Sequence, residues 1–183
     1  RGEGRTDSGL IVDEGTPYQS NICVYYYREI EHEPGIPFQE QILFVDDYLV
    51  VVDKPHFLPV NPGGQYLQET LLVRLKKRLQ IETLAPIYRL DRETAGVMVF
   101  TIQPQTRGLY QRLFAERKVQ KVYEAIAAHR EDLVFPLTRT SRIVEAPIFY
   151  LSYEVEGEVN AETLIEIQER RGLENLYRLY PAT

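Results

Sequence analysis

One cysteine, Cys23, among 183 residues leaves no partner for an internal disulfide and excludes a zinc site built from several cysteines. The histidines His32, His56 and His129 lie too far apart to form a metal-ligand spacing, so no metal and no cofactor is expected. No run of about 18 apolar residues occurs, which leaves no membrane-spanning helix. Nothing near Arg1 shows the basic-then-apolar order of a signal peptide, and a cytoplasmic protein is the default expectation. Met98 is the only methionine, so Arg1 is expected to begin a fragment or a processed form. Internal repeats and low-complexity tracts are also lacking.

What is present belongs to a chain that buries a core: 44% apolar and 26% charged residues, over a length suited to one domain with a short appendage. The net charge of −6 argues at first against a polyanionic partner, but its distribution does not. Residues 1–69 carry −8, residues 70–121 carry +7 and residues 122–183 carry −5. A basic middle in an acidic chain is a candidate face for an anionic ligand, because local potential outweighs the sum. The plain alternative is a pair of solvated basic helices.

Residues 1–37 read as an extension, punctuated by Gly2, Gly4, Gly9 and Gly15, with a strand at Val24-Tyr25-Tyr26-Tyr27 and a boundary at Pro34, Gly35 and Pro37. Ile42 to Val45 and Leu49 to Val52 around Asp46-Asp47 predict a hairpin. Thr70 predicts the cap of a helix to about Leu79, with Leu71, Leu72, Leu75 and Leu79 on one face. Val97 to Ile102 predicts a buried strand, and Pro104 a helix to about Arg117 with Leu109, Leu113 and Phe114 inward. Lys121 to Ala127 predicts a strand that carries Lys121 and Tyr123 on one face. Further strands are expected within 142–155 and 160–180, with Arg171-Gly172 as a turn. Strands outnumber helices without regular alternation, which favours α+β over a doubly wound sheet.

Chemistry concentrates in Tyr88-Arg89-Leu90-Asp91-Arg92-Glu93-Thr94-Ala95-Gly96. An aspartate between two arginines in a polar turn is kept ionised by its neighbours, Thr94 can hydrogen-bond the turn, and Gly96 permits close packing. The plain alternative is a carboxylate that braces a loop by ion pairing. Asp46-Asp47 is no paired-carboxylate site, since adjacent strand residues point to opposite faces.

Arg-Leu-Asp-Arg-Glu-Thr-Ala-Gly resembles the catalytic motif of the RluA-type RNA pseudouridine synthases, usually His-Arg-Leu-Asp-x-x-Thr-Ser-Gly. Asp53-Lys54-Pro55 with Val60-Asn61-Pro62-Gly63, Phe114 to Arg117, Val119 to Tyr123, Asn160 to Thr163 and Tyr177 to Thr183 are similar to further family segments, in the family's order. Tyr88, Ala95 and Asn61 depart from the usual His, Ser and frequent His.

The resemblance implies an α+β pseudouridine-synthase-like fold, a mixed, largely antiparallel sheet with flanking helices. It implies a partial catalytic domain at 38–183, incomplete in its C-terminal half, and makes 1–37 an extension or a remnant of an RNA-binding domain. It implies an isomerase acting on rRNA or tRNA that flips a uridine into a pocket. Asp91 then acts on the ribose, by covalent attack or through a glycal. Tyr123 matches the tyrosine that packs against the target base, and Arg89 the arginine that fills the base's place. Arg92 and Lys121 join them as RNA-binding candidates. Arg117 and Lys118, with Lys76, Lys77, Arg78, Arg107 and Arg112, are phosphate-contact candidates. The family's arginine that pairs with the catalytic aspartate lies in a segment expected after Thr183. A chain ending there is expected to be inactive alone, and to expose Leu176 and Leu179 along an edge that invites self-association. The competing expectation is a non-catalytic RNA-binding or RNA-folding module that retains the fold.

Overall fold

Strand-forming runs separated by turn residues give this chain three antiparallel sheets and two helices among the described residues, 4–26, 30–148 and 151–182 of a computed structural model. The contacts divide into two units, Arg1–Arg107 and Gly108–Thr183.

The first unit opens with β1 (Gly4–Thr6), β2 (Ile11–Val12) and β3 (Val24–Tyr26), a small sheet in the order β2-β1-β3. Tyr27, expected to continue the last strand, lies outside the described residues. β4 (Gln41–Val45) and β5 (Leu49–Lys54) form the expected hairpin. Asp46 closes it as a turn acid, its Oδ1 accepting from the amides of Tyr48 and Leu49 at 2.8 and 2.7 Å. α1 (Leu71–Leu79) starts at Thr70, whose hydroxyl accepts from Val73 N–H, and stops at Gln80 in the left-handed conformation. β6 (Ala85–Pro86) and β7 (Gly96–Thr101) complete a second sheet, in the order β4-β5-β7-β6.

Its core is made by strand alternation meeting helix periodicity. Val50 and Val52 of β5, Met98 and Phe100 of β7, and Leu71 and Leu75 of α1 are fully buried. β7 is buried at Met98, Phe100 and Thr101 but opens at its start, where Val97 is 54% exposed, which corrects the expectation of a wholly buried strand.

Residues 33–38 are fastened to the segment leading into α1. Glu33 accepts from the amides of Leu67, Gln68 and Glu69 at 2.7, 2.9 and 2.7 Å. Ile36 enters the core, and Arg74 donates to the carbonyls of Ile36 and Phe38 while pairing with Glu69. Burial pushes the Glu33 carboxyl up, but the three amides together outweigh it and hold the group below its ordinary range. A depressed carboxyl stabilises above its unfolded pKa, and that contribution fades as pH falls through the folded value. Glu33→Ala is therefore expected to cost about 1 kcal/mol at pH 7, as for a lost side-chain cap. Its thermal midpoint should converge on the wild type's in acid below the carboxylate range.

α2 (Pro104–Ala115) leads from the first unit into the second, where β8 (Tyr123–Ala128), β9 (Leu137–Glu145), β10 (Ser152–Val155), β11 (Ala161–Arg171) and β12 (Glu174–Pro181) follow. Their sheet runs β10-β9-β11-β12-β8. Gly172, at φ +73°, makes the tight turn between β11 and β12 beside the expected position. Every strand pairing among the described residues is antiparallel, and the class is α+β.

Three expectations are corrected here. No residue of α2 is buried, and Leu109 is 55% exposed, because periodicity tells which leucines share a face and not whether anything covers it. Lys121 precedes β8 rather than lying in it, so alternation does not link it to Tyr123. Leu176 and Leu179 are half-buried on β12, which is hydrogen-bonded on both sides by β11 and β8; the edges are β10 and β8.

Candidate active site

Asp91 stands in the loop between β6 and β7, an excursion that the flanking sequence opens and closes. Ile87 N–H still bonds to Val99 C=O at 3.0 Å, and the Tyr88 hydroxyl donates to the Val97 carbonyl at 2.5 Å. The chain then leaves the sheet and returns at Gly96, whose φ of +129° is open to glycine and strained for other residues. Apart from its chain neighbours, no described residue comes within 4 Å of the place a Cβ would take at Gly96, so this glycine serves backbone conformation and not the expected close packing.

Three successive carbonyls of the loop are each held by a donor. Thr94 N–H bonds to Asp91 C=O at 3.1 Å, closing the turn through the backbone. Lys54 Nζ donates to Arg92 C=O at 3.3 Å. His56 Nδ1 lies 2.7 Å from Glu93 C=O, a geometry that requires the Nδ1–H form. Two of these donors come from one tripeptide, Lys54-Pro55-His56, at the end of β5. Such anchoring holds the Asp91 backbone in place while its side chain stays exposed.

Lys54 joins the candidate site in a part that the sequence did not announce. It is fully buried, and its ammonium also donates to the carbonyls of Leu58 and Pro55 at 2.9 and 3.1 Å. Burial draws its pKa below the usual lysine range, and the carboxylates of Glu93 and Asp91 oppose that shift. Lys54 is thus a cation that Asp91 feels from within the fold. The available signal was parity: Val50, Val52 and Lys54 fall on the same face of β5, and that face is the buried one.

The flanking arginines are not the ion-pair partners of Asp91. Arg92 turns to Glu93, with Nε and Nη2 at 2.9 and 2.7 Å from Oε1. Among the described residues no ion pair joins Asp91 to Arg89 or to Arg92. Adjacent side chains in a turn diverge, so sequence neighbourhood gave the wrong partner.

Asp91, Arg89 and Arg92 share this loop of the first unit, whereas Arg117, Lys118, Lys121 and Tyr123 belong to the second. Tyr123 is half-buried at the start of β8, opposite Leu179. Arg117, at φ +54°, ends the turn after α2, and Lys118 pairs with Glu116 at 2.6 Å. Of the other phosphate-contact candidates, Arg78 lies 3.8 Å from Glu40, and Arg107 donates to the Thr83 carbonyl at 3.2 Å. Those two guanidinium groups already have partners within the chain.

Comparison with known proteins bears on the same segments. A sequence model described as RNA pseudouridylate synthase matches residues 48–183. An uncharacterised RNA pseudouridine synthase of Synechocystis is 34% identical over 118 residues, 64% of this chain and 40% of that protein. The tRNA pseudouridine(31) synthase of Saccharomyces cerevisiae is 36% identical over 100 residues, 54% of this chain and 24% of its own length. Among solved structures, human RNA pseudouridylate synthase domain containing 4 superposes with a TM-score of 0.61 at 31% identity, covering 78% of this chain and 59% of the other. The chain spans two fifths or less of the length of these two curated relatives.

Proposed function

Because the chain belongs to the RNA pseudouridylate synthase family, in its RluA-type branch, we propose that the protein isomerises specific uridines of tRNA or rRNA to pseudouridine. In that reaction the N1–C1′ bond of uridine breaks, a C5–C1′ bond forms, the proton on C5 leaves and N1 gains one. The atoms of the nucleoside are conserved, and no cofactor is called for.

The observation that carries this reading is the exposed Asp91 carboxylate on a loop whose three successive carbonyls are pinned. A group that acts on the ribose of a flipped nucleotide must be reachable and yet fixed, and this loop supplies both conditions. We assign Asp91 the step at the sugar, and the motif correspondence assigns Tyr123 the face of the base. Arg89 is available to take the place the base leaves, while Arg92, Lys121, Arg117 and Lys118 are assigned to RNA. Residues 38–183 are read as part of the catalytic domain, with 1–37 as an extension. Among the described residues no helix is long and apolar enough to cross a membrane.

Tritium release tests the reaction. RNA labelled at C5 of uridine should lose tritium to water when incubated with the full-length protein, without added metal or cofactor. RNA that keeps its label through many equivalents of enzyme, across both tRNA and rRNA pools, would contradict the assignment.

A further inference from the structure

Beside the Asp91 loop, the first unit carries three aromatic rings in series that the reaction as described does not use. The Phe38 and Phe57 centroids are 6.1 Å apart at 39°, and those of His56 and Phe57 are 6.0 Å apart at 46°. These are contact distances, but the tilts leave neither phenyl face covered by a parallel ring among the described residues. Phe38 is 47% exposed and Phe57 51% exposed.

The rings are held outward by construction. Phe57 has φ +66°, a left-handed backbone that a bulky side chain adopts only under strain. That strain is compensated by the neighbours on either side of it in sequence. Lys54 grips the carbonyls of Pro55 and Leu58, and His56 is tied to Glu93. Phe38 is fixed through its own carbonyl, which accepts from Arg74 Nη1 at 2.8 Å. Three separate anchors therefore present two half-exposed phenyl rings that contribute nothing to the buried core. Preorganised aromatic surface of this kind lowers the ordering cost of a ligand with a flat face.

The tether to the active loop says which ligand. His56 reaches Glu93, and Glu93 is two residues from Asp91, a backbone span of at most about 7 Å. We propose that Phe57, supported by Phe38 and His56, is a stacking platform for an unpaired nucleobase of the substrate RNA next to the target uridine. This inference rests on the proposed function and adds a base subsite to it. A base has a π-face whatever its identity, so the platform adds affinity and holds the strand in register without selecting sequence strongly. It would keep a neighbouring base engaged while the target nucleotide leaves its stack.

The test separates the ring from the fold. Phe57→Gly removes the platform and also relieves the positive φ, so its thermal midpoint should stay at or above that of the wild type. The probe is a short unstructured RNA holding one uridine, with versions abasic at the 5′ or the 3′ neighbour of that uridine. With the full-length protein, Phe57→Gly should weaken binding of the intact probe about tenfold, the order of one base–aromatic stack. The penalty should vanish on one of the two abasic probes, and Phe57→Trp should restore affinity. Unchanged affinity in a folded Phe57→Gly protein overturns the platform. So does a penalty that persists on both abasic probes, or a loss of self-association in place of RNA binding. Tritium release by the wild type, measured alongside, reports the parent reaction independently: its absence condemns the proposed function, whereas its presence with unaltered binding condemns only the platform.

Discussion

Asp91→Asn in the full-length protein is expected to lower pseudouridine formation by at least about 1,000-fold, since the substitution removes the group assigned to the sugar and keeps its shape. The size of the effect follows from the division of labour in the loop. Thr94, Lys54 and His56 hold the backbone through carbonyls, so the Asp91 side chain bears on the fold only through its charge, felt at Lys54 together with the charge of Glu93. An exposed substitution of that kind usually changes stability by no more than about 0.5 kcal/mol. The thermal midpoint should therefore stay near the wild type's, and affinity for RNA should be kept, because phosphate contacts dominate it. A folded Asp91→Asn protein that turns over normally would remove Asp91 from the mechanism.

Lys54→Met is expected to act in the opposite manner, on stability before catalysis. Methionine fills the space of the lysine stem but leaves the carbonyls of Pro55, Leu58 and Arg92 without their donor. Losing hydrogen bonds to a buried cation, offset in part by no longer burying a charge, costs about 3 kcal/mol. For a chain of this size that corresponds to a midpoint lower by about 10 °C. Thr94 and His56 still hold the loop on either side of Arg92, so turnover well below the midpoint should fall only a few-fold. Thermal denaturation followed by circular dichroism, with turnover measured at 15 °C and near the midpoint, checks both parts.

Local chemistry made much of the fold legible. Asp46 announces the β4–β5 turn because its carboxylate can take two turn amides, and Thr70 announces α1 because its hydroxyl can cap it. The β11–β12 hairpin follows from Gly172 in the same way. What the chain does not announce is what covers a face. The leucines of α2 repeat with helical spacing, yet no residue of that helix is buried.

In the candidate site, the motif around Asp91 pointed to a single loop, while the electrostatics of that loop had to be seen. Arg92 could equally turn to Asp91 or to Glu93, and only the backbone of the turn decides between them. Lys54 was accessible by parity along β5, but a charged residue at an inward position is easily taken as the end of the strand. Phe57 carried no signal at all. A left-handed backbone is ordinarily announced by glycine or asparagine, and here it is imposed on phenylalanine by the anchors around it.

The most direct measurement is a pseudouridine map of cellular RNA, read by mass after pseudouridine-specific labelling, from cells lacking the gene. If the assignment holds, one or a few tRNA or rRNA sites revert to uridine, and are restored by the wild-type gene but not by Asp91→Asn. A map unchanged by the deletion, or restored equally by both genes, would contradict it.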